Sequence, residues 1–381
     1  MRRNRKTAFE HARRVVVKVG SNVLTKDSGL NLAAVRSLSR QICRLADDGR
    51  EMILVSSGAM ASGLKKMGFA RRPDEIPRRQ AVAAVGQAGL IMEYEKAFGR
   101  HGRKVAQILL TSEDLTNRVR YLNARNTIHT LLSWGVVPIL NENDTIMVEE
   151  IKFGDNDNLA AMITLQMDAD ILVNLTDIDG LFTQDPRTSP DAELIDEVTV
   201  IRREIETLAS DIPGALGSGG MLSKIRAARK VTAAGIPMVI ASGLKRQILD
   251  RLFSGKRHGT FFVPKKERLA SRKCWIGFTL KPKGAVRIDE GAANAVLRRG
   301  KSLLPSGVLS VSGDFEVGAP VAIETKTEVI GTGLVNYSAS DIRKIMGLKT
   351  GQIKKRLGAK PYDEVIHRDN LTITDDGQED G

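Results

Sequence analysis

The stretch "GDNDN" (154–158) places two Asp and two Asn within five residues, directly ahead of an apolar helical pattern. A turn followed by a helix N-cap is the simplest use for such residues, because their short side chains hydrogen-bond nearby backbone N–H groups. A cap needs one of them, and this segment offers Asp155, Asn156, Asp157 and Asn158. A similar cluster, "NEND" (141–144), closes an apolar run just upstream and adds Asp144. Two lysines supply the opposite charge. Lys18 lies near the end of "RVVVKVG" (14–20), where an ammonium is expensive to bury unless it is paired or faces a ligand. A snorkelling lysine on a sheet edge is the alternative. Lys224 follows glycines in "GALGSGGMLSK" (214–224), which runs straight into a helical pattern. Backbone N–H groups at a helix start suit a phosphate, and glycine lets the backbone approach it closely. A flexible glycine-rich loop is the alternative there.

These groups need a scaffold. The first two-thirds of the chain alternates short apolar runs with longer helical patterns: "RVVVKVG" (14–20), "EMILVSSG" (51–58), "KVAQILLT" (104–111), "VVPILNEN" (136–143), "DILVNLTD" (170–177) and "IPMVIASG" (236–243). Such continuous runs read as buried parallel strands, and the βαβ rhythm predicts an α/β fold, a mainly parallel open sheet between layers of helices. In the first helix Leu32, Val35, Leu38, Ile42 and Leu45 share a face, with Asn31 as N-cap and Gly49 as the stop. Ligands of open α/β sheets bind beyond the carboxyl ends of the strands. Lys18, "SSG" (56–58), "NEND" and "TD" (176–177) all fall there.

The rhythm breaks after "GTFFVP" (259–264), and the charged segment 265–273 reads as a linker. Beyond it "WIGFTL", "AVRID", "GVLSVSG", "APVAIET" and "VIGTGLVNY" read as short strands around one helix, "EGAANAVLRRG", which predicts a small, mostly β, barrel-like domain at 274–370. The expected divisions are a basic arm at 1–13, an α/β domain at 14–264, the linker, the small β domain, and a disordered acidic tail at 371–381. "GKS" (300–302) is no P-loop, because Ala295 stands where that motif requires glycine.

Composition narrows the class. No apolar run among the 381 residues approaches a membrane span, and the basic N-terminus lacks the apolar region of a signal peptide. The two Cys, far apart, favour a reducing, cytoplasmic setting. Five scattered His without ligand spacing give no reason to expect a zinc site. A formal charge of +13 suggests an anionic ligand or a nucleic acid, although a merely basic surface explains it as well.

Taken in order, "VVVKVGSNVLT", "VSSGAMASG", "LNARNTI", "NENDTI", "KFGDNDNLAA", "LTDIDGLFTQDPR" and "GSGGMLSK" resemble the amino acid kinase family. "NEND" and "GDNDN" are similar to its glutamate-phosphorylating branch rather than to its kinases of aspartate, acetylglutamate, carbamate or UMP. "DEGAANAVLRRGKSLLPSGV" with "GTGLVNYSASDIRKI" looks like a PUA domain, a module of RNA-modifying enzymes that this branch also carries, and the whole resemblance spans residues 14–370. It implies transfer of the ATP γ-phosphoryl group to the side-chain carboxylate of L-glutamate, the first step of proline biosynthesis, with proline as inhibitor. By the same resemblance Lys18 and Lys224 flank the phosphoryl group and Asp157 holds them, while Ser57, Asp144, Asp155 and Asn156 bind glutamate. Thr176, Asp177, Ser218, Gly219, Gly220, Met221, Leu222 and Ser223 would hold ATP together with both lysines. Mg2+ is implied on the nucleotide phosphates, with no protein ligand assigned. A homo-oligomer (dimer or tetramer), hand-over of product to glutamate-5-semialdehyde dehydrogenase, and RNA as a partner are implied too. The alternatives are a kinase of another small acidic acceptor and an RNA-binding PUA protein. Ser218 and Ser223 stand where relatives often carry Thr, which keeps the hydroxyl, and the basic arm lies outside the resemblance.

Overall fold

The computed structural model describes residues 4–26, 29–146, 156–210 and 220–373. Asp155, Ser218 and Gly219 lie outside them. The chain divides into two compact units, Met1–Arg268 and Leu269–Gly381.

In the first unit the strands are β1 (Arg14–Val19), the small pair β2 (Thr25–Lys26) and β3 (Gly29–Leu30), then β4 (Glu51–Ser56), β5 (Val105–Leu110), β6 (Val137–Glu142), β7 (Ile171–Thr176), β8 (Glu197–Val198), β9 (Met238–Ser242) and β10 (Thr260–Phe262). Apart from β2 and β3 they form one sheet in the order β5-β6-β4-β1-β7-β9-β10-β8. The six strands expected from apolar runs are all present and mutually parallel. β10, antiparallel to β9, and β8, paired to β10, extend the sheet beyond the six strands read from the sequence. Successive side chains on a strand face opposite ways. Val15, Val17 and Val19 join one core with Val35 and Ile42 of helix Leu32–Asp47 and Leu90 and Tyr94 of helix Ile76–Gly99. Lys18, on the other face, meets helix Asn156–Gln166. The first helix is capped by Asn31 as expected, although Leu32 is exposed rather than in the core.

The basic arm is not detached. Helix Arg5–Glu10 buries Ala8 and Phe9, with the Phe9 ring edge-on to Phe253 at 5.1 Å. Arg5 donates to Asp196 at 2.9 Å, so the arm is part of this unit.

The second unit holds a five-stranded sheet, order β12-β11-β13-β14-β15, from β11 (Gly284–Ile288), β12 (Val308–Gly313), β13 (Pro320–Glu324), β14 (Val329–Leu334) and β15 (Leu371–Ile373). Helix Glu290–Arg299 is capped by Asp289, which accepts from the Ala292 N–H at 2.7 Å. Two boundaries need correction. "WIGFTL" is not a strand: helix Ser271–Phe278 starts inside the segment read as linker and packs on β14 and β15, burying Cys274, Trp275 and Ile276. The tail does not start at 371, because Leu371 and Thr372 are buried in edge strand β15. Tertiary burial overrides local preference at both places.

Candidate active site

Lys18 is the fifth residue of β1, a strand flanked by β4 and β7, and is only 4 % exposed. That removes the snorkelling alternative. Its ammonium pairs with Asp157 Oδ1, and Lys224 Nζ lies 3.0 Å from Asp157 Oδ2. Asp157, in the first turn of helix Asn156–Gln166, is wholly buried, and Lys224 is 5 % exposed in the first turn of helix Met221–Ala233. Two further donors reach the carboxylate. Ser223 Oγ donates to Oδ2 at 2.7 Å, and Asn174 Nδ2 donates to Oδ1 at 2.8 Å. Asn174 sits directly across from Lys18 in the β1–β7 register. Burial pushes the Asp157 carboxyl up, but the two ammonium charges and these hydrogen bonds outweigh it and hold the group well below the usual carboxylate range. Two cations against one anion leave the buried trio one positive charge in excess. That excess suits a polyanionic ligand.

The neighbouring residue faces the other way along the sheet edge. Asn156 Nδ2 donates to Ser57 Oγ at 2.9 Å and to Asn141 Oδ1 at 3.0 Å. Ser57 follows β4, and Gly58 takes the left-handed conformation (φ 112°) that turns the chain into helix Ala59–Met67. Asn141, near the end of β6, is 4 % exposed, and its Nδ2 donates to Gln87 Oε1 at 2.8 Å. Asp144 lies two residues beyond β6, where burial raises its carboxyl to about 6 against the opposing pull of Arg72. The fourth member of the cluster is a tie between helices, for Asn158 Oδ1 accepts from Lys230 Nζ at 2.5 Å.

At the end of β7, Thr176 Oγ1 donates to Asp177 Oδ1 at 2.9 Å and Asn22 Nδ2 donates to Asp177 Oδ2 at 2.8 Å. Burial raises the Asp177 carboxyl, but these bonds together with the Lys224 charge lower it overall. Among the described residues Gly220 caps helix Met221–Ala233 without a side-chain bond, and the first-turn N–H groups of such a helix start suit an anion. No group of three His, Cys, Asp or Glu among the described residues is placed to hold a metal ion.

Lys18, Asp157, Ser223 and Lys224 thus converge, as do Ser57 and Asn156, with the Asn156–Asp157 pair joining the two groups. Asn174 and Gln87 carried no assignment from sequence, and Asn141 was noted only as part of "NEND". Asn174 had a signal, a lone amide inside the apolar run "DILVNLTD"; Gln87, within an ordinary helical pattern, had none.

Residues 13–242 match the model of the amino acid kinase family, a class of phosphotransferases. Residues 284–357 match that of the PUA domain. The glutamate 5-kinase of Syntrophus aciditrophicus is 50 % identical over 98 % of this chain and 97 % of its own. That of Geobacter sulfurreducens is 49 % identical over 95 % and 97 %, respectively. The chain belongs to the amino acid kinase family and, within it, to the glutamate 5-kinases.

Proposed function

We propose that this chain transfers the γ-phosphoryl group of ATP to the side-chain carboxylate of L-glutamate, giving L-glutamyl 5-phosphate and ADP. The observation that carries the reading is the buried Lys18–Asp157–Lys224 trio. Attacker and donor are both anions, so repulsion and alignment are the main barriers, and phosphoryl transfer needs little covalent help from protein. One carboxylate oxygen attacks the γ-phosphorus as the bond to the β,γ-bridging oxygen breaks. The ionised carboxylate is its own nucleophile, so no general base is required. Lys18 and Lys224 stabilise the charge on the transferring group from two sides, and Asp157 keeps both ammonium groups fixed beforehand. Thr176, Asp177 and the start of helix Met221–Ala233 hold the nucleotide. Ser57, Asp144 and Asn156 hold glutamate, with the Asp144 carboxylate on its α-ammonium group. Mg2+ would ride on the nucleotide phosphates and neutralise part of their charge, a mode that needs few protein ligands. Feedback inhibition by proline, assembly into a homo-oligomer and hand-over of the acyl phosphate to glutamate-5-semialdehyde dehydrogenase belong to the same reading. The test is ATP consumption with glutamate, aspartate, acetylglutamate and UMP, with and without proline. Turnover confined to glutamate supports it; preference for another acceptor overturns it.

One observation favours RNA as an additional partner of the second unit. Arg343, Lys344, Lys349, Lys354, Lys355, Arg356 and Lys360 are all exposed within 343–360, a span without an acidic residue. RNA binding to the full chain that weakens steeply with salt supports this role, and salt-independent or absent binding removes it.

A further inference from the structure

A chain of side-chain hydrogen bonds that begins at Gln87 orients the amide of Asn156. Gln87 Oε1 accepts from Asn141 Nδ2 at 2.8 Å, which turns the Asn141 amide oxygen away from Gln87. That places Asn141 Oδ1 against Asn156, whose Nδ2 donates to it at 3.0 Å and to Ser57 Oγ at 2.9 Å. Both protons of Asn156 Nδ2 are then used. Asn156 Oδ1 is left as a buried acceptor with no hydrogen-bond partner among the described residues. A buried unsatisfied acceptor is unfavourable and uncommon, and at a ligand site it marks where a donor is to come from. Ser57 Oγ, having accepted from Asn156, keeps its own proton for an acceptor.

We propose that Gln87 is a positioning residue for amino-acid recognition, a relay through Asn141 that presents Asn156 Oδ1 as acceptor to a ligand ammonium and the Ser57 hydroxyl as donor to a ligand carboxylate. The proposal rests on the reading of Asn156 as a substrate contact. Reversing the Asn141 amide would set N–H against N–H at Asn156 and carbonyl against carbonyl at Gln87, losing both bonds. The relay is also mechanically held. Next to Gln87, Gly86 packs so closely that a Cβ there would lie 1.8 Å from the Ala59 carbonyl oxygen and 2.4 Å from the Gly63 nitrogen. Helix Ile76–Gly99, bearing Gln87, is thereby pressed on helix Ala59–Met67, which starts two residues after Ser57. This close contact ties Gln87 to the helix that follows Ser57.

The test compares Gln87→Met, which keeps the length and loses the acceptor, with Gln87→Glu, which keeps the acceptor. Gln87→Met should raise the KM for glutamate about 10-fold, the loss of one buried polar contact, with kcat and the KM for ATP nearly unchanged and Tm lowered by the unsatisfied Asn141 amide. Gln87→Glu should stay within about 3-fold of the native KM, since one acceptor–donor bond is retained. The relay is overturned if Gln87→Met leaves glutamate KM unaltered, raises the KM for ATP in parallel, or behaves no worse than Gln87→Glu. Asn156→Ala separates the two levels. If it leaves the glutamate KM unchanged, the substrate-contact reading falls and takes the relay with it. If it raises the KM while Gln87→Met does not, the relay alone is wrong.

Discussion

Lys18 and Lys224 reach one carboxylate from β1 and from a helix start, and each removal should be felt chiefly in the chemical step. Lys18→Ala or Lys224→Ala is expected to lower kcat on the order of 100-fold or more, because a preorganised contact to the developing charge is lost. Steady-state kinetics on variants with native circular dichroism checks this, and near-native turnover would refute the assignment. Asp144 gives a pH signature of opposite origin to Asp157. Burial raises its carboxyl to about 6, so the proton-bound form gains population as pH falls through that value. Only the ionised form can pair with an ammonium group. The glutamate KM should therefore climb as pH drops from 7 to 5, while the KM for ATP does not follow it. Asp144→Asn should abolish the pH dependence along with most of the affinity. A glutamate KM that is flat across this range in the native chain would show that Asp144 stands away from the substrate.

Among the elements, the contact between helices Ala59–Met67 and Ile76–Gly99 is the most sensitive to a single methyl group. At Gly86 the atoms met by a new Cβ are backbone, which no rotamer change relieves, so Gly86→Ala must push the helices apart. A loss of about 1–3 kcal/mol is expected from overpacking, and more if the helices cannot yield. Denaturant unfolding measures it; an unchanged midpoint would show that the pair yields freely. The six parallel strands were legible because a strand buried on both faces is a continuous apolar run, as "RVVVKVG" and "DILVNLTD" are. Edge strands β8 and β10, two and three residues long, leave too short a pattern to read. Helix Ser271–Phe278 was hidden because its aromatic and β-branched residues carry strand preference, while its packing on β14 and β15 decides otherwise. At the site, charged residues stood out against an apolar background. Gln87 acts through a hydrogen bond across 54 positions, which no local pattern encodes.

For the molecule as a whole, the sheet and every assigned site residue lie in Met1–Arg268. A chain ending at Arg268 is expected to fold and to retain glutamate- and ATP-dependent formation of acyl phosphate, trapped as its hydroxamate, at a rate within about 10-fold of the full chain, because a separate compact unit is removed. A soluble, folded fragment without activity would mean that the second unit completes the site.

The place of β1 in the sheet bears on how the protein comes off the ribosome. The first strand synthesised must wait for β7, about 155 residues later, before its second neighbour exists. Until residue 157 has emerged, Lys18 lacks the carboxylate that pairs with it in the finished sheet, and closing the sheet around it would bury the ammonium without that partner. Nascent chains shorter than this should stay open and protease-sensitive however apolar their strands. The buried ion trio then acts as a checkpoint in vectorial folding, holding the core unsealed until its distant partner arrives.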